Sequence, residues 1–327
     1  MRSWQVKEIA NPDQALALSE IEKPQRQDGE VLIKTKTAAL NFFDILLCQG
    51  KYQEKPDLPF TPGAEIAGIV EAVGEESVFQ VGDKVLARPA LPNGGFSEFV
   101  SVSEDSVFRV PESMSFEEAA AMFITYQTAY YALHDRANTK EGEVLLVHAG
   151  AGGVGSAAIQ LGKAAGAYVI ATAGSPEKIQ VCKDLGADIA INYSEEDFVD
   201  IVKKETGGKG ADIIFDPVGS DTFDRSRKCI AFAGRLLVVG FAGGRIPEAP
   251  ANHILVKNYS VVGVHWGYFA RLNMEGVAGI HQTLCDFYEK EKIKPLIYDQ
   301  FSYEDLPHAM NLLADRKTYG KLILKVT

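Results

Sequence analysis

The fold is decided by Val144-Leu145-Leu146-Val147, which leads through His148-Ala149 into Gly150-Ala151-Gly152-Gly153-Val154-Gly155. Gly150, Gly152 and Gly155 match G-x-G-x-x-G, in which the glycines permit a tight turn, approach of a pyrophosphate, and close packing of helix on strand. The apolar run predicts a parallel strand buried on both faces, and helix-compatible residues follow the turn. We therefore predict a strand, turn and helix that bind a dinucleotide. A glycine-rich turn that only packs is the alternative.

Length and charge limit the class of protein and its partners. The chain has 327 residues and a net charge of −11, which predicts two domains and argues against nucleic acid or an anionic membrane surface as partner. No run approaches the ~18 apolar residues of a membrane span, and the first ten residues lack the apolar core of a signal peptide. Four dispersed cysteines fit neither a disulfide framework nor a structural zinc site. We expect a cytoplasmic protein with a small-molecule partner.

The pattern of elements changes near residue 122. Up to Ala121 the chain is strand-like and rich in turns, which predicts an all-β module with strands at Glu30–Ala38, Glu65–Val73, Lys84–Ala87 and Phe96–Val102. Strands then alternate with helices, which predicts an α/β fold with a doubly wound parallel sheet. Its six expected strands are Val144–His148, Tyr168–Thr172, Ile189–Ile191, Asp212–Asp216, Arg235–Val239 and Val261–Val264. The tail ends in a strand-like segment, Lys321–Val326, that could pair with the first module.

The end of the second strand of this sheet favours NADPH over NADH. A NAD site places an acidic residue about 20 residues after the glycines, but Thr172-Ala173-Gly174-Ser175 is neutral. No carboxylate therefore repels a 2′-phosphate. Lys178 follows shortly afterwards and could bind that phosphate through charge-assisted hydrogen bonds. A solvated lysine in the first turn of a helix is the alternative.

The whole chain resembles the zinc-independent quinone oxidoreductase (zeta-crystallin-like) branch of the medium-chain dehydrogenase/reductase superfamily. The matching motifs are Asn41-Phe42-Phe43-Asp44, Pro62-Gly63-Ala64-Glu65-Ile66-Ala67-Gly68, Gly82-Asp83-Lys84-Val85, Ala149–Gly155, Asp216-Pro217-Val218-Gly219 and Gly320-Lys321. The resemblance implies a split, GroES-like catalytic domain at residues 1–122 plus 266–327. A Rossmann NADPH-binding domain at 123–265 would be inserted in it. The resemblance also implies a homodimer, joined by sheet extension along Tyr259–His265.

The residues argue against catalytic zinc. The zinc enzymes of the superfamily have Cys and His where this chain has Asn41 and Ala64, and neither side chain replaces a thiolate or imidazole ligand. We therefore predict no metal site. Without a Lewis acid, electron-poor acceptors such as quinones and α,β-unsaturated carbonyl compounds are the favoured substrates, because their developing charge is delocalised.

The resemblance also assigns residues to the site. Asn41 is expected to donate to the substrate oxygen or to the nicotinamide ribose. Tyr52 is expected to be a catalytic residue of the substrate pocket that closes over the acceptor or donates a proton, with water as the other possible proton donor. A turn or capping role is the alternative for Asn41, and simple packing for Tyr52. The expected cofactor-binding residues are Asn41, Thr128, Gly150, Gly152, Gly153, Val154, Gly155, Ser175, Lys178, Tyr193, Phe241, Val264, Trp266 and Lys321. Relatives often carry arginine where this chain has Cys48, which we expect to be a pocket-wall or core thiol.

Two other functions remain open. Within the enzyme hypothesis, reduction of enoyl thioesters is an alternative to reduction of quinones. A noncatalytic NADPH-binding protein, with a crystallin-like or sensor role, is the alternative from a different class.

Overall fold

A computed structural model describes residues 1–327 and divides them into two compact units. The β-rich unit comprises Met1–Ile124 and Pro295–Thr327, and the α/β unit comprises Thr125–Lys294. The second boundary lies at residue 294 rather than at the expected 265. The reason is that the segment after Val264 bonds to the start of the α/β unit, where the Gln127 amide donates to Val277 O at 2.9 Å and the Tyr126 hydroxyl to Lys294 O at 2.9 Å.

The elements follow one another along the chain in a fixed order. The first part contains β1 (Arg2–Val6), α1 (Pro12–Ala15), β2 (Leu16–Glu20), β3 (Glu30–Ala39), α2 (Phe42–Cys48), β4 (Ile66–Ala72), β5 (Lys84–Ala87), β6 (Phe99–Ser103), β7 (Val107–Arg109) and α3 (Phe116–Tyr130). The middle part contains β8 (Val144–Val147), α4 (Gly153–Ala164), β9 (Tyr168–Ala173), α5 (Pro176–Asp184), β10 (Ile189–Asn192), α6 (Phe198–Glu205), β11 (Ala211–Asp216), α7 (Ser220–Cys229), β12 (Ile230–Val238), α8 (Ala251–Lys257), β13 (Ser260–Gly263), α9 (Trp266–Leu272) and α10 (Met274–Glu289). The last part contains β14 (Ile297–Phe301), α11 (Leu306–Ala314) and β15 (Lys321–Lys325).

The β-rich unit is built on a seven-stranded sheet in the order β14-β15-β3-β4-β5-β7, with β6 also paired to β3. The C-terminal strand β15 runs antiparallel to β3, with Ile323 opposite Ala39, so the predicted pairing of the tail with the first module is confirmed. Its core contains the fully buried Phe60, Phe96 and Ile45. Strands β1, β2, β7 and β14 were not predicted.

The α/β unit contains the predicted doubly wound sheet of six parallel strands, in the order β10-β9-β8-β11-β12-β13. Strand β8 is central and wholly buried apart from Val144, as its continuous apolar sequence predicts. Sheet order places the carboxyl ends of β8, β9 and β11 side by side, which is where ligands bind in open α/β sheets. Strands β10 and β13 are the two edge strands.

No helix in residues 1–327 combines the length and the apolar character that crossing a membrane requires.

Candidate functional site

The glycine turn joins β8 to α4 in the α/β unit. Ala149 has a positive φ of 50°, and the turn is closed by hydrogen bonds from Gly150 N to Thr172 O and from Gly152 N to Ala149 O, both 2.9 Å. The predicted strand, turn and helix are therefore present at the predicted residues. The Thr172 bond fixes the turn to the end of the neighbouring strand β9.

The three glycines of the motif differ in how much space surrounds them. A Cβ on Gly155 would lie 2.2 Å from Ala149 O, and one on Gly150 would lie 2.9 Å from Cys182 Sγ, so both positions require glycine for packing. A Cβ on Gly152 meets only Ala149 O, at 3.2 Å. Gly152 is thus the position whose open side is available to a ligand, as the motif predicts for its second glycine.

The N-terminus of α4 has no side chain that caps it. Gly152 is the N-cap residue, whereas Ser175 caps α5 by accepting from Lys178 N and Asp197 caps α6 by accepting from Val199 N. The first N–H groups of α4, which include those of Gly153 and Val154, can therefore receive a phosphate, and the helix dipole favours its negative charge.

A buried polar network centred on His148 lies next to the glycine turn. His148 Nδ1 lies 3.0 Å from Thr172 Oγ1, and Nε2 lies 2.8 Å from Ser226 Oγ. Because the Ser226 hydroxyl donates to Thr222 O at 2.7 Å, it accepts from His148, which assigns the proton to Nε2. Burial, with a smaller contribution from Arg225, lowers the pKa of His148 to about 3. His148 is therefore a neutral structural residue.

The end of β9 brings together the residues expected to bind a 2′-phosphate. Thr172 is buried, Ser175 caps α5, and Lys178 in the first turn of α5 is half-buried, where burial lowers the pKa of its ammonium group. The phenol of Tyr193 lies against Gly174, since a Cβ there would be 2.5 Å from its hydroxyl. The end of β9 from Thr172 to Ser175 thus carries no carboxylate and lies beside Lys178 and Tyr193, while the exposed Glu177 is the acidic residue in the first turn of α5.

The end of β11 forms a second loop at this edge of the sheet. Asp216 Oδ1 accepts hydrogen bonds from Val218 N at 2.8 Å and Gly219 N at 2.9 Å, and burial raises the pKa of this carboxyl. A Cβ on Gly219 would lie 3.0 Å from the ring of Phe241, which is partly exposed. The motif Asp216–Gly219 therefore shapes the loop on which Phe241 packs.

The remaining predicted cofactor residues of the α/β unit differ in exposure. Val264 and Trp266 are buried, and the Trp266 indole donates to Gln127 Oε1 at 3.3 Å. Thr128 is half-buried on α3. Trp266 and Val264 thus have a packing role, and only the small exposed part of each side chain is available for contact with a cofactor.

In the β-rich unit, Asn41 is the centre of a buried polar cluster with Glu65 and Lys321. The Asn41 amide Nδ2 donates to Glu65 Oε1 at 2.9 Å, and Lys321 Nζ donates to Asn41 Oδ1 at 2.7 Å. Lys321 Nζ also donates to Glu65 Oε1 at 2.6 Å and to Leu40 O at 2.8 Å. Asn41 is in addition the N-cap residue of α2, so the capping alternative is part of its role.

Asp44 stabilises this cluster through hydrogen bonds to backbone N–H groups. Its carboxyl group accepts from Asn41 N at 2.8 Å and from Gly63 N at 3.3 Å. Burial raises the pKa of Asp44 to about 7 although these hydrogen bonds and Lys321 oppose the shift. The side chain thereby links the start of α2 to the segment that contains Glu65.

Two further predicted residues lie near this cluster in sequence. Tyr52 is half-buried and stacks on Phe43, with ring centroids 5.4 Å apart, so it makes the packing contact that we considered as an alternative. Cys48 is fully buried in the core, and burial, assisted by Asp44, raises the pKa of its thiol to about 12. Cys48 is therefore a core thiol and not a nucleophile.

The residues at the position of a superfamily zinc site do not suit the metal. Asn41 Oδ1 already accepts from an ammonium group, Ala64 offers no donor atom, and no group of three or more His, Cys, Asp or Glu side chains is arranged to hold a metal ion. Zinc requires three or four thiolate, imidazole or carboxylate ligands.

Sequence reasoning missed the roles of Glu65, Asp44 and His148. Glu65 precedes the apolar run of β4, and Lys321 begins the apolar strand β15, so each is a charge at a position expected to be buried. Buried charges need partners. That signal could have paired the two residues, and it makes Lys321 part of a closed cluster instead of a free cation for a cofactor.

Two family profiles match the chain. The profile of the alcohol dehydrogenase GroES-like domain matches residues 27–112, and the profile named zinc-binding dehydrogenase matches residues 153–278. Together they cover strands β3 to β7 of the sheet in the β-rich unit and most of the α/β unit.

Individual proteins match over the full length. The bovine quinone oxidoreductase-like protein 2 is 36% identical over 327 residues, 99% of this chain and 93% of the bovine one. The solved structure of Escherichia coli quinone oxidoreductase in complex with NADPH is 30% identical, with a TM-score of 0.91 over 99% of this chain and all of that chain. The structure of the CurK enoyl reductase is 28% identical, with a TM-score of 0.88 over 99% and 98% of the two chains.

A GroES-like unit followed by a Rossmann unit with an uncapped glycine turn defines the class of medium-chain dehydrogenases/reductases. Within that class, the chain belongs to the quinone oxidoreductase family, and it is an oxidoreductase.

Proposed function

We propose that this protein is a zinc-independent oxidoreductase that uses NADPH to reduce quinones or α,β-unsaturated carbonyl compounds. The observation that carries the proposal is the carboxylate-free end of β9, where Ser175, Lys178 and Tyr193 surround a loop next to the glycine turn. The E. coli relative, which was solved with NADPH, supports the same cofactor.

The residues of the α/β unit fit this cofactor in two places. The pyrophosphate is held by the free N–H groups at the start of α4, beside Gly152, whose missing side chain leaves room for it. The 2′-phosphate is held by Lys178 and by the hydroxyl groups of Ser175 and Tyr193, and the neutral segment Thr172–Ser175 places no carboxylate at the end of β9 to repel it. When bound, NADPH supplies the hydride.

The other residues orient the reacting groups. Thr128, Phe241, Val264 and Trp266 contribute surface next to the nicotinamide, and Tyr52 lines the acceptor side. The Asn41 carboxamide is the hydrogen-bonding group for the acceptor oxygen or the nicotinamide ribose, because its hydrogen bonds to Glu65 and Lys321 fix its position and orientation. We assign delivery of the proton to water or to the hydroxyl group of Tyr52, whose half-buried ring stacks on Phe43.

The ligand chemistry supports zinc independence. Zinc enzymes of the superfamily have thiolate and imidazole ligands at two positions. This chain has Asn41, whose amide accepts a hydrogen bond from the Lys321 ammonium group, at the first and Ala64 at the second. The site therefore lacks a Lewis acid for an unactivated ketone, which would forfeit several kcal/mol of transition-state charge stabilisation. Quinones and enones need less polarisation, since their developing charge spreads over the conjugated system.

Reduction of enoyl thioesters is the second candidate. The full-length similarity to the CurK enoyl reductase favours it, and an enoyl thioester is itself an α,β-unsaturated carbonyl compound. The two candidates differ in the acceptor and not in the cofactor.

Steady-state consumption of NADPH with a panel of quinones, enones and enoyl thioesters tests the proposal. We expect acceptor-dependent consumption with a quinone or enone. Faster turnover with thioesters would replace the first candidate by the second. NADPH that binds and is consumed with none of these acceptors would contradict both and support a noncatalytic role.

We further propose that the protein is a homodimer joined through the α/β unit. Strand β13 is an unpaired edge, and Leu255 and Val256 on the neighbouring helix α8 are 80% and 78% exposed. An exposed edge and exposed large apolar side chains are normally covered. A solution mass of two chains is expected, and Leu255→Glu with Val256→Glu should halve it. A wild-type mass of one chain would exclude the dimer.

We place the protein in the cytoplasm. Its four cysteines are unpaired and buried thiols, which suits a reducing compartment. Cell fractionation with a tagged chain tests this assignment, and recovery from an oxidising compartment would contradict it.

A further inference from the structure

The Asn41 carboxamide is held at both ends by groups of opposite charge. Lys321 Nζ lies 2.7 Å from Oδ1, and Glu65 Oε1 lies 2.9 Å from Nδ2. An ammonium group only donates and a carboxylate only accepts. The chemistry of the two partners therefore dictates which end of the amide faces which side, and a flipped amide would face two repulsive contacts.

Lys321 has no donor left for any other partner. Its three N–H groups are matched by Leu40 O at 2.8 Å, Asn41 Oδ1 at 2.7 Å and Glu65 Oε1 at 2.6 Å, and its side chain is only 5% exposed. Lys321 thus has neither the free hydrogen nor the access that direct binding of a cofactor phosphate requires. Its role must be exerted through the groups it touches.

Glu65 is equally fixed. Its second oxygen, Oε2, accepts from Ile124 N at 2.8 Å, and its side chain is 1% exposed. The backbone of Asn41 is held separately by Asp44. Both the position and the orientation of the amide are therefore determined by three partners, Lys321, Glu65 and Asp44.

Stability alone is a weak reason for such a pair. Buried ion pairs often contribute little compared with well-packed apolar residues, because the cost of removing the charges from water is large. What the pair does supply is orientation. It leaves Asn41 with one Nδ2 hydrogen whose only contact is with Ala39 O, at the long distance of 3.5 Å.

We propose that Lys321 and Glu65 are positioning residues that lock the Asn41 carboxamide in the one orientation that serves the reaction. This inference rests on the proposed function of Asn41. It moves Lys321 from the group of expected cofactor ligands to the group that acts on Asn41.

A double-mutant cycle tests the proposal. Lys321→Met should lower kcat about 10- to 100-fold, because a small misplacement of an orienting group is that costly, while the Kd of NADPH stays unchanged. If Lys321 acts through Asn41, the same substitution should have almost no further effect on kcat in an Asn41→Ala background. Lys325→Met, an exposed lysine on the same strand, is the matched control and should leave kcat unchanged.

A pair of compensating substitutions is the control for correct folding of the variants. Lys321→Met leaves the Glu65 carboxylate buried without its counter-charge, so Glu65→Gln with Lys321→Met should restore the thermal midpoint. It should not restore kcat, since neither residue then dictates the amide orientation. Recovery of both would indicate a merely structural role and overturn the proposal.

A measurement without turnover separates this proposal from the proposed function. In the protein labelled with ¹⁵N-asparagine and free of nucleotide, the Asn41 side-chain amide, assigned by its loss in Asn41→Ala, should exchange slowly and should exchange faster in Lys321→Met. Unchanged exchange, or an equal kcat loss from Lys321→Met in both backgrounds of the cycle, would refute the positioning role. A wild-type protein that fails to consume NADPH, yet shows the exchange difference, would refute the proposed function alone.

Discussion

Lys321 and Glu65 form a buried ion pair of 2.6 Å although 256 residues separate them in the sequence. The pair joins the first residue of the C-terminal strand β15 to the residue that precedes β4. It explains in atomic terms why the last residues of the chain belong to the same unit as the first.

Breaking this pair should destabilise the protein strongly. Lys321→Met is expected to lower the free energy of unfolding by about 3–5 kcal/mol, since it leaves a buried carboxylate without its counter-charge. Urea denaturation measures the change. The exposed pair of Lys23 and Glu71 is the control, and Lys23→Met should cost less than about 1 kcal/mol. Equal losses from both variants would mean that burial is not what gives the first pair its importance.

Cofactor preference should depend on Lys178. Lys178→Ala is expected to raise the KM for NADPH about tenfold or more and to leave the KM for NADH almost unchanged, because hydrogen bonds to charged groups contribute about 1.5–3 kcal/mol. Lys183→Ala, on the exposed face of the same helix, should change neither. Steady-state kinetics with both nucleotides decide. Because burial lowers the pKa of Lys178, the preference for NADPH should weaken as pH rises, earlier than for an ordinary lysine.

The second and third motif glycines should fail in different ways. Gly155→Ala places a Cβ 2.2 Å from the backbone oxygen of Ala149, so we expect a loss of stability of about 1–3 kcal/mol or more. Gly152→Ala meets its nearest atom at 3.2 Å and has a φ of −77°, so the fold should persist while NADPH affinity falls. Gly279→Ala, where a Cβ meets nothing within 4 Å, is the control.

Thermal midpoints and NADPH titrations, measured on the same three variants, distinguish these effects. Tight NADPH binding by Gly152→Ala would show that the open side of this glycine is not where the pyrophosphate lies.

The buried His148 should make the protein sensitive to acid. Its pKa is about 3 in the folded protein and about 6.5 when unfolded, so the unfolded chain binds the proton first and stability is lost as pH falls below about 6.5. The contribution is at most about 1.4 kcal/mol per pH unit. His148→Gln should therefore show a shallower loss of unfolding free energy between pH 6.5 and 3.

Asp44 affects the pH dependence of stability in the opposite direction to His148, so the effect of His148 is seen by comparing variants. Its pKa is raised to about 7, so its contribution to stability is lost as pH rises toward that value. His308→Gln, which changes an exposed histidine, should retain the wild-type dependence on pH. If His148→Gln also retained it, the titration of His148 would not be the cause.

The α/β unit could be predicted well because its signals are local. Strand β8 spans Val144–Val147, which is the apolar run itself, and the glycine turn follows it at the predicted residues. The largest error in a strand is the start of β12, which begins at Ile230 and not at Arg235. The extra residues contain Ala233 at a φ of 60° and a register shift opposite β11, and neither leaves an alternating pattern in the sequence.

The cluster around Asn41 could be predicted only in part. Asn41 stands in a recognisable motif, but its partners Glu65 and Lys321 come from segments that meet only after β3, β4 and β15 have paired. The end of the α/β unit at Lys294 was missed for the same reason, since contacts of Gln127 and Tyr126 with residues beyond 265 have no sequence pattern.

The central claim is tested most directly by the steady-state oxidation of NADPH in the presence of a simple para-quinone, with NADH measured under the same conditions. We predict quinone-dependent consumption of NADPH, with a kcat/KM that exceeds that for NADH about tenfold or more. Consumption of NADH at an equal or higher kcat/KM, or binding of NADPH without any quinone-dependent consumption, would contradict it.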